Sequence, residues 1–575
     1  MESKWMLYTK RADFEKISAR FHISPVLARI IINRDIKEED FSLYLKSDLS
    51  LMHDAGSLYG VEDAYNEIMS EIKKGNKIRV VGDYDIDGVC SSYILVKSLR
   101  RFGANADVRI PDRIKDGYGI NDNIINEAAN DKISMIITCD NGIAAHSQME
   151  LARKLGIKVI ITDHHEVYQE EGKDYLPVAD VVINPKRSEC KYPFKSICGA
   201  LVAYKLMEYM FERLYSKKMY EDGELSDLLE VAAIATIGDV MPLVDENRVL
   251  VKHGLKSLMN TKNLGLRALI KATGMEGKKI SAYSIGFVIG PCLNAGGRLE
   301  NALVALNMFM SESSDEANEY AMHLKELNDE RKDLTAMNVK VAVELAEREY
   351  ADDDILVIYL ENCHESIAGI IAGRVREALG KPTIILTDAF GEDGMIKGSG
   401  RSIESYNMFE ALYEVKDIFE KFGGHHMAAG MSLKKDRLDE FRKRLNENSK
   451  LTKEDFIQKI WIDVPLPFSY ISHDFVRELE KLEPYGNKNE KPKFARKGIK
   501  ILSKNILGKN KNVVKMVLED DGTRLDGIYF CDGEAFFEEL KGNNEIDIIY
   551  YPDINEYGGR ESLQVIITGY KIKNI

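Results

Sequence analysis

Long hydrophobic runs are missing from this sequence, and nothing in it approaches the ~18–20 apolar residues that a bilayer-spanning helix needs. Cysteine is scarce and scattered. Seven residues, at positions 90, 139, 190, 198, 292, 363 and 531, form no CxxC pair and no disulfide-like framework, so a reducing cytoplasm is the expected setting. The first residues, Met1-Glu2-Ser3-Lys4-Trp5, lack a basic segment followed by an apolar one, and no signal peptide is expected. Excess positive charge is also absent. A net charge of −14 argues against a protein that coats nucleic acid nonspecifically over its whole surface.

What remains is an ordinary globular composition, with 45% hydrophobic and 30% charged residues in 575. Collagen-like and mostly disordered chains are excluded, and at ~150 residues per domain about four domains are expected. The charge is uneven, because Lys491 to Lys515 holds nine Lys/Arg and no acidic residue. Any nucleic-acid contact must therefore be local.

The first ~75 residues carry short amphipathic patterns without nameable chemistry. Four β-branched runs then follow, Ile78-Arg79-Val80-Val81, Met135-Ile136-Ile137, Val159-Ile160-Ile161 and Val181-Val182-Ile183, separated by helical patterns. This alternation predicts a parallel sheet in an α/β domain. Residues 225–260 read as a buried helix and a proline-containing turn. No Gly or Pro occurs between Gly297 and Gly369, and the polar stretch 300–350 predicts a connecting helix of about 50 Å. A second α/β segment follows, with strands at Ile355-Leu356-Val357-Ile358 and Thr383-Ile384-Ile385-Leu386. From about 455 the period shifts towards two, with Asp521-Gly522 and Gly558-Gly559 as hairpin turns. That tail reads as a small β-barrel, for which the OB type is one candidate. Its basic run suits tracking of a single strand, with Phe494 the clearest stacking partner; a lysine-guarded edge strand is the alternative.

The strongest signal is positional. The four runs end in Gly82-Asp83-Tyr84-Asp85-Ile86-Asp87-Gly88, Cys139-Asp140-Asn141-Gly142, Asp163-His164-His165 and Asn184-Pro185-Lys186. Ligands of open parallel sheets bind outside the carboxyl ends of the strands. Chain order thus predicts at least five acidic side chains and two imidazoles at one crevice. Carboxylates so close cannot all ionise without cations between them. Oxygen ligands alone suit Mg²⁺, whereas added imidazole shifts the preference towards Mn²⁺ or another first-row ion. Asp239, after the apolar run Val231-Ala232-Ala233-Ile234-Ala235, is poorly placed for a core and completes the acidic set.

This set resembles the DHH phosphoesterase superfamily, whose name Asp163-His164-His165 spells out, and within it the RecJ branch of single-stranded-DNA-specific exonucleases. The resemblance extends through Ile110-Pro111-Asp112-Arg113, Gly117-Tyr118-Gly119, Cys198-Gly199-Ala200 and Gly290-Pro291-Cys292-Leu293-Asn294-Ala295-Gly296-Gly297-Arg298. Its DHHA1 part lies in Gly398-Ser399-Gly400-Arg401-Ser402 and Gly423-Gly424-His425-His426-Met427-Ala428-Ala429-Gly430. It implies an N-terminal segment (1–75), a DHH catalytic domain (76–300), a helical connector (301–350), a DHHA1 substrate-binding domain (351–450) and an OB-like domain (455–575).

By this resemblance the catalytic set is Asp83, Asp85, Asp87, Asp140, His164, His165 and Asp239. Asp85, Asp87, Asp140, His164 and Asp239 would hold two divalent cations, Mn²⁺ in preference to Mg²⁺, with Asp140 as the bridge. Arg113, Arg298, Arg374, Ser399, Arg401 and His426 would contact substrate. The implied protein is a cytoplasmic, monomeric exonuclease of recombination and repair. It would attack single-stranded DNA from the 5′ end, alongside a single-strand-binding protein and a helicase, without contacting membrane. Three departures from the family pattern stand out: Cys292 where an Arg is usual, Val81 where related phosphatases place a His, and the drifted stretch from Leu482 to Glu490.

Overall fold

The computed structural model describes residues 3–572. The chain divides into two compact units, one built from Met52–Met241 and His253–Gln458, the other from Ser3–Leu51, Pro242–Lys252 and the chain from Lys459 onward.

The first unit begins with a five-stranded sheet in the spatial order Asn105–Arg109, Lys77–Val81, Met135–Cys139, Lys158–Thr162, Val181–Ile183. All neighbours are parallel. Both faces are covered, so the inner strands are uninterrupted apolar runs, and Val81, Ile136, Ile161 and Val182 share a core with Ile124 and Ile125. The edge strand Asn105–Arg109 was not legible as a strand, because charged Asp107 and Arg109 interrupt it. Arg79 explains its placement by gripping Asp107 through Nε and Nη2, both at 2.8 Å. In chain order the strands run 2-1-3-4-5, and the order reverses between Lys77–Val81 and Met135–Cys139. That switch point opens a crevice at the carboxyl ends of the strands.

The expected connector is broken near its start. A helix over Leu303–Met310 stops at Ser311, and Ser313 then caps a fresh helix, Ser314–Glu349, of 36 residues. At 1.5 Å per residue this helix is about 54 Å long. Beyond it lies a mixed sheet ordered Phe419–His425, Ala428–Lys434, Met395–Arg401, Thr383–Asp388, Leu356–Tyr359, in which only the last pair is parallel.

In the second unit, the strands Phe494–Leu507, Val513–Asp520, Thr523–Phe530, Arg560–Ile572 and Glu545–Tyr557 pair in sequence, and the last closes on the first. The two predicted hairpins are present. Asp521-Gly522 and Gly558-Gly559 all have positive φ, the geometry of two-residue turns that match strand twist. Phe494 corrects the stacking expectation, since its side chain is wholly buried in the barrel core. The basic strand is not an edge either, being paired on both sides. Lys497, Lys500 and Lys509 nevertheless remain exposed, without a carboxylate partner among the described residues.

The N-terminal segment joins this unit. Leu27, Ile30 and Phe41 share one core with Phe468, Phe494 and Val514. Arg248, buried to 1% exposure, donates to the carbonyls of Tyr44, Leu482 and Lys481, each at 2.9 Å. Asn489, in the drifted stretch, is fully buried and accepts from the Tyr44 hydroxyl at 2.6 Å, which gives that stretch a structural task. Among the described residues no helix is long and apolar enough to cross a membrane.

Candidate metal centre and its arginine cluster

Each acidic residue is placed by a backbone device at a strand or helix end. Asp85 caps the helix Ile86–Arg101, accepting from the Asp87 and Gly88 amides at 3.0 and 3.1 Å. The Ile86 amide donates to Asn294 Oδ1 (2.9 Å), which ties this loop to the helix Gly290–Leu299. Asp87 accepts from the amides of Gly199 (2.6 Å) and Ala200 (2.8 Å), at the positive start of the helix Gly199–Tyr215. Asp140 sits at φ +60°, a left-handed position that Asp tolerates better than most residues. Asp239 ends the helix Leu228–Gly238.

His164 lies at the middle of the cluster. Its Nε2 is 3.1 Å from Asp140, 3.6 Å from Asp87 and 3.8 Å from Asp239. Three sets of side chains bring ligand atoms within 4.8 Å of one another: Asp140 with His164 and His165, Asp87 with His164 and Asp239, and Asp83 with Asp85 and Asp140. Asp140 and His164 each belong to two sets. Asp163 stands apart, since both its oxygens are used, by the Ile143, His164 and His165 amides and by His165 Nδ1 at 2.8 Å. It fixes the loop and aims His165.

Burial, followed by the neighbouring carboxylate Asp85, pushes Asp83 up to about 8. Burial and then Asp87 do the same to Asp239, also to about 8. Asp87 and Asp140 are raised too, burial again being the largest cause. His164 is lowered by burial and favours the neutral imidazole that ligates metal. Burial alone would lower His165, but its bond to Asp163 wins and lifts it to about 9. A second oxygen of Asp83 is buried without a partner. Crowded carboxylates, a neutral imidazole and an orphaned acceptor fit divalent cations.

Beside the carboxylates lies a set of guanidinium groups with no carboxylate ion pair among the described residues. Arg113 donates to the Gly297 carbonyl (3.1 Å) and stacks on Tyr84. Arg298 donates to the Ser366 carbonyl at 2.8 Å, which joins the DHH part to the second lobe. Burial, then the charges of Arg113 and Arg331, lowers Arg298 to about 10, opposed by Asp85. Arg401 donates to Ser399 Oγ and the Gly400 carbonyl, each at 2.8 Å. Arg374 is exposed and close enough to Arg331 for their charges to interact. His426 is held at Nε2 by the Glu404 carbonyl (3.0 Å) and bonds to none of these arginines.

Two members escaped the sequence reading. Arg331, on the long helix, directs its guanidinium to Asn328 and joins the cation cluster; within a charged helix it reads as one more solvated residue. Tyr118 donates its hydroxyl to the Asp140 carbonyl at 2.7 Å beside His165. Its place between Gly117 and Gly119 was the available signal. Cys292 is buried, its thiol directed to the Val288 carbonyl.

A reversed-order parallel sheet that crowds carboxylates and imidazoles at its switch point, facing arginines of a second lobe, defines a DHH-type phosphoesterase. Residues 77–236 match the DHH family N-terminal domain, 352–450 the DHHA1 domain and 462–569 the RecJ OB domain. The chain is 36% identical over 574 residues to the single-stranded-DNA-specific exonuclease RecJ of Bacillus subtilis, covering 99% of this chain and 71% of that protein. It is 32% identical to the protein of the same description from Escherichia coli, covering 95% of each. Among solved structures, RecJ of Thermus thermophilus in complex with Mn²⁺ superposes with a TM-score of 0.84 at 25% identity, covering 100% of this chain and 80% of that one. This chain belongs to the RecJ family.

Proposed function

We propose that the chain is a single-stranded-DNA-specific exonuclease that hydrolyses phosphodiester bonds with two divalent cations. The observation that carries the reading is the meeting of two clusters: carboxylates and imidazole centred on His164, and arginines beside them, with Arg298 acting on Asp85 and Arg113 on Asp83. Asp85, Asp87, Asp140, His164 and Asp239 would hold the cations, Mn²⁺ or Mg²⁺, with Asp140 shared between them, and Asp83 and His165 beside them. When bound, such a pair supplies an activated water and stabilises charge on the attacking and leaving oxygens.

The chain's own residues supply the rest. Arg298, Arg401 and Arg113 suit phosphate oxygens, for which guanidinium groups are the best-matched donors. Arg374, Ser399 and His426 extend the contact surface in this reading. A group of cations without carboxylates suits a terminal phosphate, which supports attack from the 5′ end. The closed barrel with Lys497, Lys500 and Lys509 exposed supports tracking of a single strand. We infer a cytoplasmic monomer of recombination and repair, acting on strands opened by a helicase and covered by a single-strand-binding protein.

The test uses 5′-phosphorylated single-stranded DNA labelled at its 3′ end, with protein and Mn²⁺. Duplex DNA, RNA and a cyclic dinucleotide run in parallel. Progressive shortening of the single strand alone is expected. Hydrolysis only of the dinucleotide, with long DNA untouched, would refute the reading.

A further inference from the structure

Next to the metal centre, Glu166, Val167, Tyr168, Gln169 and Lys186 line a cavity of about 550 Å³, within the range of small-ligand sites. One wall is an aromatic ring. Tyr168 is 68% exposed, and Tyr175 braces it edge-on at 6.2 Å while itself stacking on His146 at 4.3 Å. A cation also lines the cavity. Lys186 follows the strand Val181–Ile183, where its amide donates to Asn184 Oδ1 (2.8 Å) and Asn184 Nδ2 donates to the His165 carbonyl (2.9 Å). The lysine is therefore tied to the metal-centre loop, and its charge acts on both His164 and Asp239.

The two walls are also fixed to each other. Asp174, beside Tyr175 on the small hairpin Gln169–Glu170/Lys173–Asp174, accepts from the amide and hydroxyl of Ser188 at 2.8 and 3.0 Å. Among the described residues Lys186 has one ion-pair partner, Glu166 at 2.7 Å, which is 73% exposed. An ion pair so open to water is weak and can be exchanged for a phosphate.

We propose that this cavity is the subsite for one nucleotide flanking the scissile phosphate, with its base stacked on Tyr168 and a phosphate oxygen on Lys186 Nζ. The assignment rests on the exonuclease reading for its place in the reaction, but not for the ligand it takes. A base–aromatic stack accepts any base, because each has a π-face. A base platform braced by a second ring can therefore serve an enzyme that takes nucleotides in succession without regard to sequence.

The test titrates dTMP and base-free 2-deoxyribose 5-phosphate calorimetrically into the full-length, Mn²⁺-loaded protein. An Arg298→Ala background keeps the arginine cluster from masking the subsite. Tyr168→Ala is expected to weaken dTMP roughly 5- to 150-fold and to leave the base-free sugar phosphate unchanged. Lys186→Met should weaken both, and Glu166→Gln should tighten both. Tyr168 and Glu166 are exposed and Lys186 is partly so, and a thermal melt of each variant checks that it is folded. Unchanged dTMP binding in Tyr168→Ala, or equal losses for the two ligands, would overturn the subsite. If dTMP binds as expected but single-stranded DNA is never shortened, the exonuclease reading fails and the subsite stands.

Discussion

Gly199 offers a sharp test of how the metal centre is built. Its amide holds Asp87, while a Cβ added at 199 would lie 2.7 Å from Asp140 Cβ and 3.0 Å from Asp140 Cα. Carbon atoms pack at ~3.5–4.0 Å, so Gly199→Ala must push Asp140 or the helix start aside by about 1 Å. In stability the change is modest. Overpacking costs about 1–3 kcal/mol, offset by about 0.5–1 kcal/mol from the stiffer unfolded chain. The net loss of about 1–2 kcal/mol leaves a typical domain folded. In activity it is large, because a misplacement of about 1 Å at reacting groups costs ~100-fold. The measurement is a single-turnover rate on single-stranded DNA at saturating Mn²⁺, with a thermal melt of the same preparation. A rate within about threefold of the parent would refute the view that Gly199 is there to let Asp140 and Asp87 approach.

Other consequences can be checked alongside. Asp140→Asn, which keeps a residue tolerant of the left-handed backbone, should abolish hydrolysis while single-stranded DNA still binds by fluorescence anisotropy. Arg298→Ala should raise the KM for 5′-phosphorylated strands by roughly 10- to 150-fold, the equivalent of one charge-assisted hydrogen bond of about 1.5–3 kcal/mol, with a smaller change in kcat. Arg248→Ala would strand three buried carbonyls and should destabilise the barrel-containing unit by at least about 3 kcal/mol in denaturant titrations. Glu71 gives a pH dependence. Burial alone would raise its pKa, but hydrogen bonds from Asn76, Lys74 and Lys158 bring it down to about 2. A lowered folded pKa means that its contribution, on the order of 2 kcal/mol, is full at neutral pH and lost as pH falls from the ordinary carboxylate range towards 2. Glu71→Gln should therefore flatten the acid limb of a stability–pH curve.

The sheet and its acidic loops were legible because buried parallel strands must be continuous apolar runs, and their carboxyl ends must carry whatever binds. Asn105–Arg109 was not, since an edge strand can afford Asp107 and Arg109. The hairpins at Asp521-Gly522 and Gly558-Gly559 announced themselves through turn chemistry. Phe494 misled, because alternation along a barrel strand says that one face is buried but not which side chain a ligand sees. Arg331 carries charge in surroundings already rich in it, and only its position next to Arg298 sets it apart, whereas Lys186 was placed at the crevice by its strand end but without a task. The tie between residues 3–51 and the barrel left no local trace, for it consists of contacts between segments some 400 residues apart.

That tie has a bearing on how the chain is made. Leu27, Ile30, Ile31 and Phe41 leave the ribosome early, yet the partners that cover them lie beyond Lys459. At ~5–20 residues per second, the wait between Leu51 and Lys459 is roughly 20–80 s. Throughout it the apolar surface of this segment lacks its cover, while all of the first unit is already made. Truncation before the barrel would leave that surface permanently exposed.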